Sequence, residues 1–272
     1  MNKHPDLAIL GFGTMGQAIS AGLVEASGYP AARLRVATRH PAGAARARAE
    51  ALGITLSGDA TAAVRAAEVV LLCVKPKELK GLLAGLAAAG ALDHRPLVVS
   101  IAAGTTLDFL AAHTPEGTPL VRAMPNTPCA IRRGMTVLAA GQGVTGTHLA
   151  QARALFEPLG RVMDLDEKHM DAVTGLSASG PAFMFVILES LAEGGVQCGL
   201  PRAVALELAA QMTLGAASMV LETGRHPAAL KDEVTTPAGC TIAGLMVLED
   251  GRIRSVVARG IERATQVAAG LG

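Results

Sequence analysis

Two apolar patterns divide the chain. Up to about residue 163, short runs that are apolar at nearly every position alternate with stretches where apolar and polar residues mix. The runs Leu7 to Leu10, Leu34 to Ala37, Val69 to Val74, Leu97 to Ala103, Leu120 to Met124, Met135 to Ala140 and Arg161 to Leu165 are predicted strands. A run apolar on both faces is the mark of a strand buried in a parallel sheet. Between them, Gln17 to Glu25, Gly43 to Leu52, Thr61 to Ala67 and His148 to Leu159 read as helices, with a short strand-like stretch before Thr61. This alternation specifies a Rossmann-like, doubly wound α/β domain over residues 1–163.

Beyond that point the strand signal vanishes. Helices are predicted over Asp166 to Leu176, Ala182 to Val196 and Arg202 to Leu221, and then to the end with a break at Asp250-Gly251. Ser177-Ala-Ser-Gly-Pro181 punctuates the first two, and Gly199-Leu-Pro201 separates the next pair. Residues 164–272 are therefore expected to form an all-helical domain. Such apolar helices must bury a face. The small residues Ala209, Ala210, Gly215, Ala216 and Ala217 allow close approach, which favours a dimer interlocked through these helices over a self-sufficient bundle.

Gly11-Phe-Gly-Thr-Met-Gly16 follows the first strand directly and opens the first helix. In that setting a Gly-x-Gly-x-x-Gly run binds a dinucleotide. The first glycine makes the turn, the second lets backbone approach a pyrophosphate, and the third lets helix and strand pack closely. In a chain with 31 glycines the pattern alone is weak, and its position gives it weight. The second strand ends in Thr38-Arg39-His40, where a cofactor with a free ribose 2′-hydroxyl would want an acid. A hydroxyl and a guanidinium suit a 2′-phosphate instead, so NADPH is expected, with NADH as the weaker alternative.

Net charge is +1, which implies no nucleic-acid partner. No run approaches about 18 uninterrupted apolar residues, so no membrane span is expected. The start, Met1 to Asp6, carries no apolar signal region. Cys73, Cys129, Cys198 and Cys240 are scattered, which fits a reducing cytoplasm and no disulfide framework. Neither they nor the seven histidines have metal-ligand spacing, so no metal is expected.

The densest chemistry lies in Val234-Thr-Thr-Pro-Ala-Gly-Cys-Thr-Ile-Ala-Gly244. Thr236 reads as a helix cap and Pro237 as the first helical residue. The N–H groups of Ala238 and Gly239 would then face outward from a positive helix end, a site for a small carboxylate. Thr241 would point its hydroxyl at whatever bears that carboxylate. Ser177-Ala-Ser-Gly-Pro181 has the same character, either as a second helix end or as a kink. The sequence offers no obvious catalytic Lys or His. An alcohol dehydrogenase needs a base, whereas a basic imine nitrogen needs only one hydroxyl to deliver or orient its proton. A small C=N substrate bearing a carboxylate is the expectation.

Cys73-Val-Lys-Pro76, Met124-Pro-Asn-Thr-Pro128, Gly175 to Phe183, Glu193-Gly-Gly, Gly199-Leu-Pro201 and Leu230 to Thr241 resemble, in that order, the pyrroline-5-carboxylate reductases. The resemblance runs over essentially the whole chain. It implies reduction of 1-pyrroline-5-carboxylate to L-proline by hydride transfer from NAD(P)H, the last step of proline synthesis. It implies cofactor contacts at Leu10, Gly11, Phe12, Gly13, Thr14, Met15, Gly16, Thr38, Arg39, Cys73, Val74, Lys75, Pro76, Ala102, Ala103 and Asn126. Substrate contacts are implied at Ser179, Glu233, Thr236, Ala238, Gly239, Cys240 and Thr241, with Thr241 the catalytic hydroxyl near the ring nitrogen. A homodimer through the helical domain, assembled further into a decamer, is also implied.

The chain departs from the family pattern at Ala178 and Ala238, each in place of a glycine, at Thr236 in place of serine, and at Asp59-Ala60 near the cofactor. Ala238 is compatible with a glycine position only at negative φ. A reductase of a related cyclic imino acid and a β-hydroxyacid dehydrogenase remain alternatives. The latter needs a Lys on the first helix after the cofactor domain, where this chain has Phe183 to Leu188. A non-catalytic NADP-binding regulator is weaker still, because Thr241 and the turn glycines are present.

Overall fold

The structure is a computed structural model describing residues 4–270. The outermost ends of both expected domains, residues 1–3 and 271–272, lie outside the described residues. The chain forms two compact units: one runs up to Ser179 and takes in the C-terminal stretch from Arg263, and the other is Gly180–Glu262.

The first unit is a single sheet of eight strands. They are β1 Leu7–Leu10, β2 Leu34–Ala37, β3 Thr55–Ser57, β4 Val69–Leu72, β5 Leu97–Ser100, β6 Leu120–Met124, β7 Gly134–Ala140 and β8 Gly160–Asp164. The order is β3-β2-β1-β4-β5-β6-β7-β8, parallel except for the antiparallel β6–β7 pair. Helices α1 Thr14–Ala21, α2 Ala44–Ala51, α3 Ala60–Arg65, α4 Pro76–Ala88, α5 Leu107–Ala112 and α6 Gly146–Phe156 connect them. Successive strand residues point to opposite faces, and both faces are covered. Leu7, Ile9, Leu71 and Val99 pack with Ile19, Leu23 and Phe156, while Ala8, Leu10, Val70 and Leu72 pack with Leu79, Leu83 and Leu86. This two-sided burial is why β1 and β4 are apolar at every position, and β5 and β6 at nearly every one.

Several strands and helices differ in extent from the sequence expectation. β5 ends at Ser100, not Ala103, because Ser100 Oγ accepts from Ala102 N–H at 3.3 Å and Thr105 N–H turns back to the Ala102 carbonyl. β4 stops at Leu72, before the expected Val74. α6 starts at Gly146, capped by Thr145, whose hydroxyl accepts from His148 N–H at 3.3 Å while His148 Nδ1 accepts from Thr145 N–H.

The segment after β8 packs on the sheet, so the division falls at Ser179 where the sequence reading has 163. α7 Met170–Val173 buries Met170 and Val173 against Met124, Val137 and Ala139. Arg122 of β6, only 2% exposed, is held by Glu167 at 3.4 Å and Asp171 at 3.2 Å. A buried guanidinium needs such partners, and they fix the segment in place. A π-turn over Thr174–Ala178 then leads into α8 Gly180–Gln197.

The second unit contains α8, α9 Arg202–Thr223, α10 Pro227–Val234 and α11 Cys240–Asp250; α12 Ile253–Ala269 begins in it and crosses the division. Gly195 lets α8 approach α9 closely, since a Cβ there would stand 3.0 Å from that of Ala205. Little else is buried: Ala192, Ala205, Ala209 and Leu230 are, while Phe185, Val186, Leu214, Leu221 and Val247 are all more than half exposed. By length and apolar composition alone, Glu167–Gln197 and Arg202–Thr223 would suffice to cross a membrane.

Candidate active site

The first unit carries a cleft of about 300 Å³ at the C-terminal ends of β1, β2 and β4. This is the crevice where the strand order reverses, between β1 and β4. Of the expected cofactor residues, Leu10, Gly11, Phe12, Gly13, Thr38, Arg39, Cys73, Val74 and Lys75 line it. Thr14, Met15 and Gly16 form the first turn of α1, and Pro76 opens α4.

The three glycines fit a dinucleotide, each for its own reason. Gly11 has φ +106°, and a Cβ there would meet the Cys73 carbonyl carbon and oxygen at 2.7 Å. A Cβ on Gly16 would stand 2.2 Å from the Gly11 carbonyl oxygen, so the helix start packs directly on the turn. Gly13 meets nothing within 4 Å: its open face is where a pyrophosphate can reach the backbone. It also caps α1 without a side chain. The N–H groups of Thr14, Met15 and Gly16 thus precede the first helical bond, Gln17 N–H to the Gly13 carbonyl at 2.9 Å. Gln17 Nε2 donates to the Phe12 carbonyl at 2.9 Å and steadies the turn. Desolvation pushes the Cys73 thiol well above its ordinary range, so it is a neutral wall of the cleft.

His40, which follows Arg39, and Ala60, noted from sequence as near the cofactor, also line the cleft, as do Ala37, Gly58, Glu78 and Leu82, which sequence reasoning missed. Asp59 is a cap, its Oδ1 accepting from Ala62 N–H at 2.9 Å. Glu78 sits in the first turn of α4, and its carboxylate binds the Arg39 guanidinium. The signal for Glu78 is its place one turn past Lys75-Pro76.

Ala102 is buried in the core, and Ala103 packs beside Met124 and Val137. Asn126 does two jobs: Oδ1 accepts from Met135 N–H at 2.9 Å, and Nδ2 donates to the Ser177 carbonyl at 3.3 Å. Pro181, four residues on from Ser177, has no N–H to offer that carbonyl. The Ser177–Pro181 stretch is therefore a kink in a helical path rather than a second helix end. Ser179 donates its N–H back to the Thr174 carbonyl at 2.9 Å.

In the second unit the expected helix start is corrected. Thr236 does not cap and Pro237 is not helical: α11 begins at Cys240, with Gly239 as its cap and no side-chain capping bond. Thr236 to Gly239 instead form a turn closed by Gly239 N–H to the Thr236 carbonyl at 3.0 Å. With Pro237 second and Ala238 third at φ +55°, this is the arrangement of a type II turn. Ala238 thus occupies the left-handed region, against the negative φ its side chain prefers, at a cost of about 1–2 kcal/mol. A Cβ on Gly239 would stand 2.3 Å from Thr236 Oγ1. The Gly239 N–H is used in the turn, so the free first-turn donors of α11 lie further on. They are the first-turn N–H groups of Cys240, Thr241 and Ile242, which have no acceptor four residues back within the helix. Thr241 sits among them, in the second helical position. Glu233, in the last turn of α10, is held by both nitrogens of the exposed Arg225 side chain, one at 3.0 Å. That hydrogen bonding keeps its carboxyl below the ordinary range. Among the described residues no three His, Cys, Asp or Glu side chains converge as metal ligands.

Residues 167–271 match the family model described as "Pyrroline-5-carboxylate reductase dimerisation", and residues 6–104 match "NADP oxidoreductase coenzyme F420-dependent". A pyrroline-5-carboxylate reductase of Synechocystis is 42% identical over 98% of both chains. One of Methanosarcina acetivorans is 38% identical over 99% of both. The solved pyrroline-5-carboxylate reductase of Coxiella burnetii superposes with a TM-score of 0.91 at 32% identity, covering 99% of each chain. That of Plasmodium falciparum, solved with NADP bound, gives 0.88 at 25% identity, covering 98% of each.

Proposed function

The chain belongs to the pyrroline-5-carboxylate reductase family and is an NAD(P)H-dependent oxidoreductase that forms proline from 1-pyrroline-5-carboxylate; we propose that it prefers NADPH, seats the substrate carboxylate on the first turn of α11, and works as an oligomer built through its helical unit. The observation that carries the substrate reading is the bare start of α11. Three N–H groups stand free of intrahelical acceptors, with no capping side chain and a hydroxyl among them.

When bound, the nicotinamide supplies hydride to ring carbon 5 of the imine. The chain's own residues do the rest. The N–H groups of Cys240, Thr241 and Ile242, at the positive end of α11, hold the carboxylate. Thr241 Oγ1 hydrogen-bonds the ring nitrogen and fixes where its proton sits. The first turn of α1 holds the pyrophosphate, and Thr38 and Arg39 receive the ribose 2′-phosphate.

The exposed apolar faces of α8, α9 and α11 support a homodimer through the dimerisation segment, with a decamer as its further assembly. The four unpaired cysteines support a cytoplasmic setting.

The test mixes the purified protein with 1-pyrroline-5-carboxylate and NADPH, follows loss of the reduced-nicotinamide absorbance, and identifies the product. Proline formed faster with NADPH than with NADH is the expected result. Turnover only with the six-membered imino acid would move the substrate reading to that ring.

A further inference from the structure

We propose that Glu78 is a specificity-determining residue: it competes with the coenzyme's 2′-phosphate for Arg39 and thereby lowers this enzyme's preference for NADPH over NADH. The inference rests on the reading of Arg39 as the 2′-phosphate residue.

The pair is placed by topology. Arg39 follows the C-terminal end of β2, and Glu78 lies in the first turn of α4, which follows β4. In the sheet β1 lies between β2 and β4, and the glycine turn follows β1. The ion pair therefore straps across the crevice mouth, over the end of β1, at the adenosine side of the cleft.

Glu78 is the one acid among the residues that line this cleft, where Arg39, His40 and Lys75 are the basic ones. The two partners differ in freedom. The Arg39 side chain is 72% exposed and free to swing, whereas that of Glu78 is only 25% exposed. Glu78 therefore stays at the crevice wall, and Arg39 comes to it.

Arg39 has a planar fork of donors that suits either a carboxylate or a phosphate. A doubly charged 2′-phosphate arriving at Arg39 competes with the Glu78 carboxylate for the Arg39 Nη2 donor and sits beside that like charge. A coenzyme with a free 2′-hydroxyl meets neither obstacle and leaves the pair closed. Glu78 thus weakens the phosphorylated coenzyme selectively.

The test measures binding rather than turnover. Adenosine 2′,5′-bisphosphate and AMP, which differ only in the 2′-phosphate, are titrated calorimetrically into the full-length wild type, Glu78→Gln, Glu78→Ala and Arg39→Ala. Glutamine keeps an acceptor for Arg39 and removes the charge. In Glu78→Gln the bisphosphate should bind about 1.4- to fivefold tighter, the span of an exposed ion pair's coupling, with AMP unchanged. Glu78→Ala should shift the same way, which separates loss of charge from any new contact of the amide. Arg39→Ala should abolish the preference for bisphosphate over AMP. If neither Glu78 variant changes the bisphosphate affinity while Arg39→Ala lowers it, competition by Glu78 is refuted and the Arg39 reading stands. If Arg39→Ala leaves the preference intact, the 2′-phosphate is read elsewhere and both ideas fall.

Discussion

Gly13→Ala should cost coenzyme affinity without costing the fold, and its two neighbours in the motif should behave oppositely. At Gly13 the backbone is already in a region open to alanine, with φ −78°, and an added Cβ meets nothing within 4 Å. The change in stability should stay within about 0.5 kcal/mol, as for surface substitutions free of special features. The same methyl fills the face through which a pyrophosphate must approach the turn, and overpacking by one carbon costs about 1–3 kcal/mol. That converts to roughly a 5- to 150-fold loss in NADPH affinity. Gly11→Ala adds left-handed strain of about 1–2 kcal/mol to a Cβ placed 2.7 Å from the Cys73 backbone, which cannot swing away. Gly16→Ala drives a Cβ to 2.2 Å from the Gly11 carbonyl oxygen. Each should lose about 3 kcal/mol or more, a fall in Tm of about 6 °C or more. Thermal melts with and without NADPH, paired with titration of NADPH fluorescence, separate the two effects. A Gly13→Ala protein that binds NADPH like the wild type would refute the assignment of that open face to the pyrophosphate. One that melts several degrees early would refute the packing argument.

Three further outcomes follow from the second unit. Ala238→Gly relieves about 1–2 kcal/mol of left-handed strain and returns about 0.4–1 kcal/mol to the unfolded chain's entropy. The net gain of up to about 1.6 kcal/mol should raise Tm by up to about 6 °C, and a lower Tm would mean Ala238 is unstrained. Thr241→Ala should lower turnover at least about tenfold with NADPH binding unchanged, read from steady-state rates and a fluorescence titration; unaltered turnover would remove its hydroxyl from the chemistry. Leu214→Glu, on an exposed stretch of α9, should shift the protein to a smaller species in light scattering, whereas an unchanged mass would place the interface elsewhere.

The sheet unit is legible from sequence because burial on both faces makes its central strands apolar at nearly every position, and the glycine turn is legible because each glycine answers a separate steric need. Thr236-Pro237 shows where legibility ends. A hydroxyl followed by proline signals a helix start and also the first half of a type II turn. The turn prevails here and takes the Gly239 N–H, and the helix opens at Cys240, so its free first-turn N–H groups are those of Cys240, Thr241 and Ile242. Ser177–Pro181, open from sequence between a second helix end and a kink, takes the kink: proline there interrupts a helical path, and the carbonyl it leaves open is taken by Asn126, a residue distant in sequence. Glu78 gave no signal of its partner, because its meeting with Arg39 depends on where α4 lands across the crevice. What escapes the sequence is in each case a pairing between segments or a choice between two local structures with the same residue signals.

The two units solve the burial problem differently, and that difference ties assembly to function. The sheet closes its own core: β1, β4 and β5 are fully buried by helices of the same chain. Within Gly180–Glu262 only a few small residues and Leu230 are buried, and long apolar side chains on α8, α9 and α11 stay exposed. At about 25 cal/mol per Å² of apolar surface, leaving them in water forfeits more stabilisation than any polar contact in this unit supplies. A second copy of the same segment offers the same unmet surface, and two-fold pairing satisfies both at once. The start of α11 belongs to this segment, so the helix proposed to hold the substrate is expected to be steadied by assembly. Dilution toward the monomer should then reduce turnover and stability together, while coenzyme binding on the self-contained sheet unit persists.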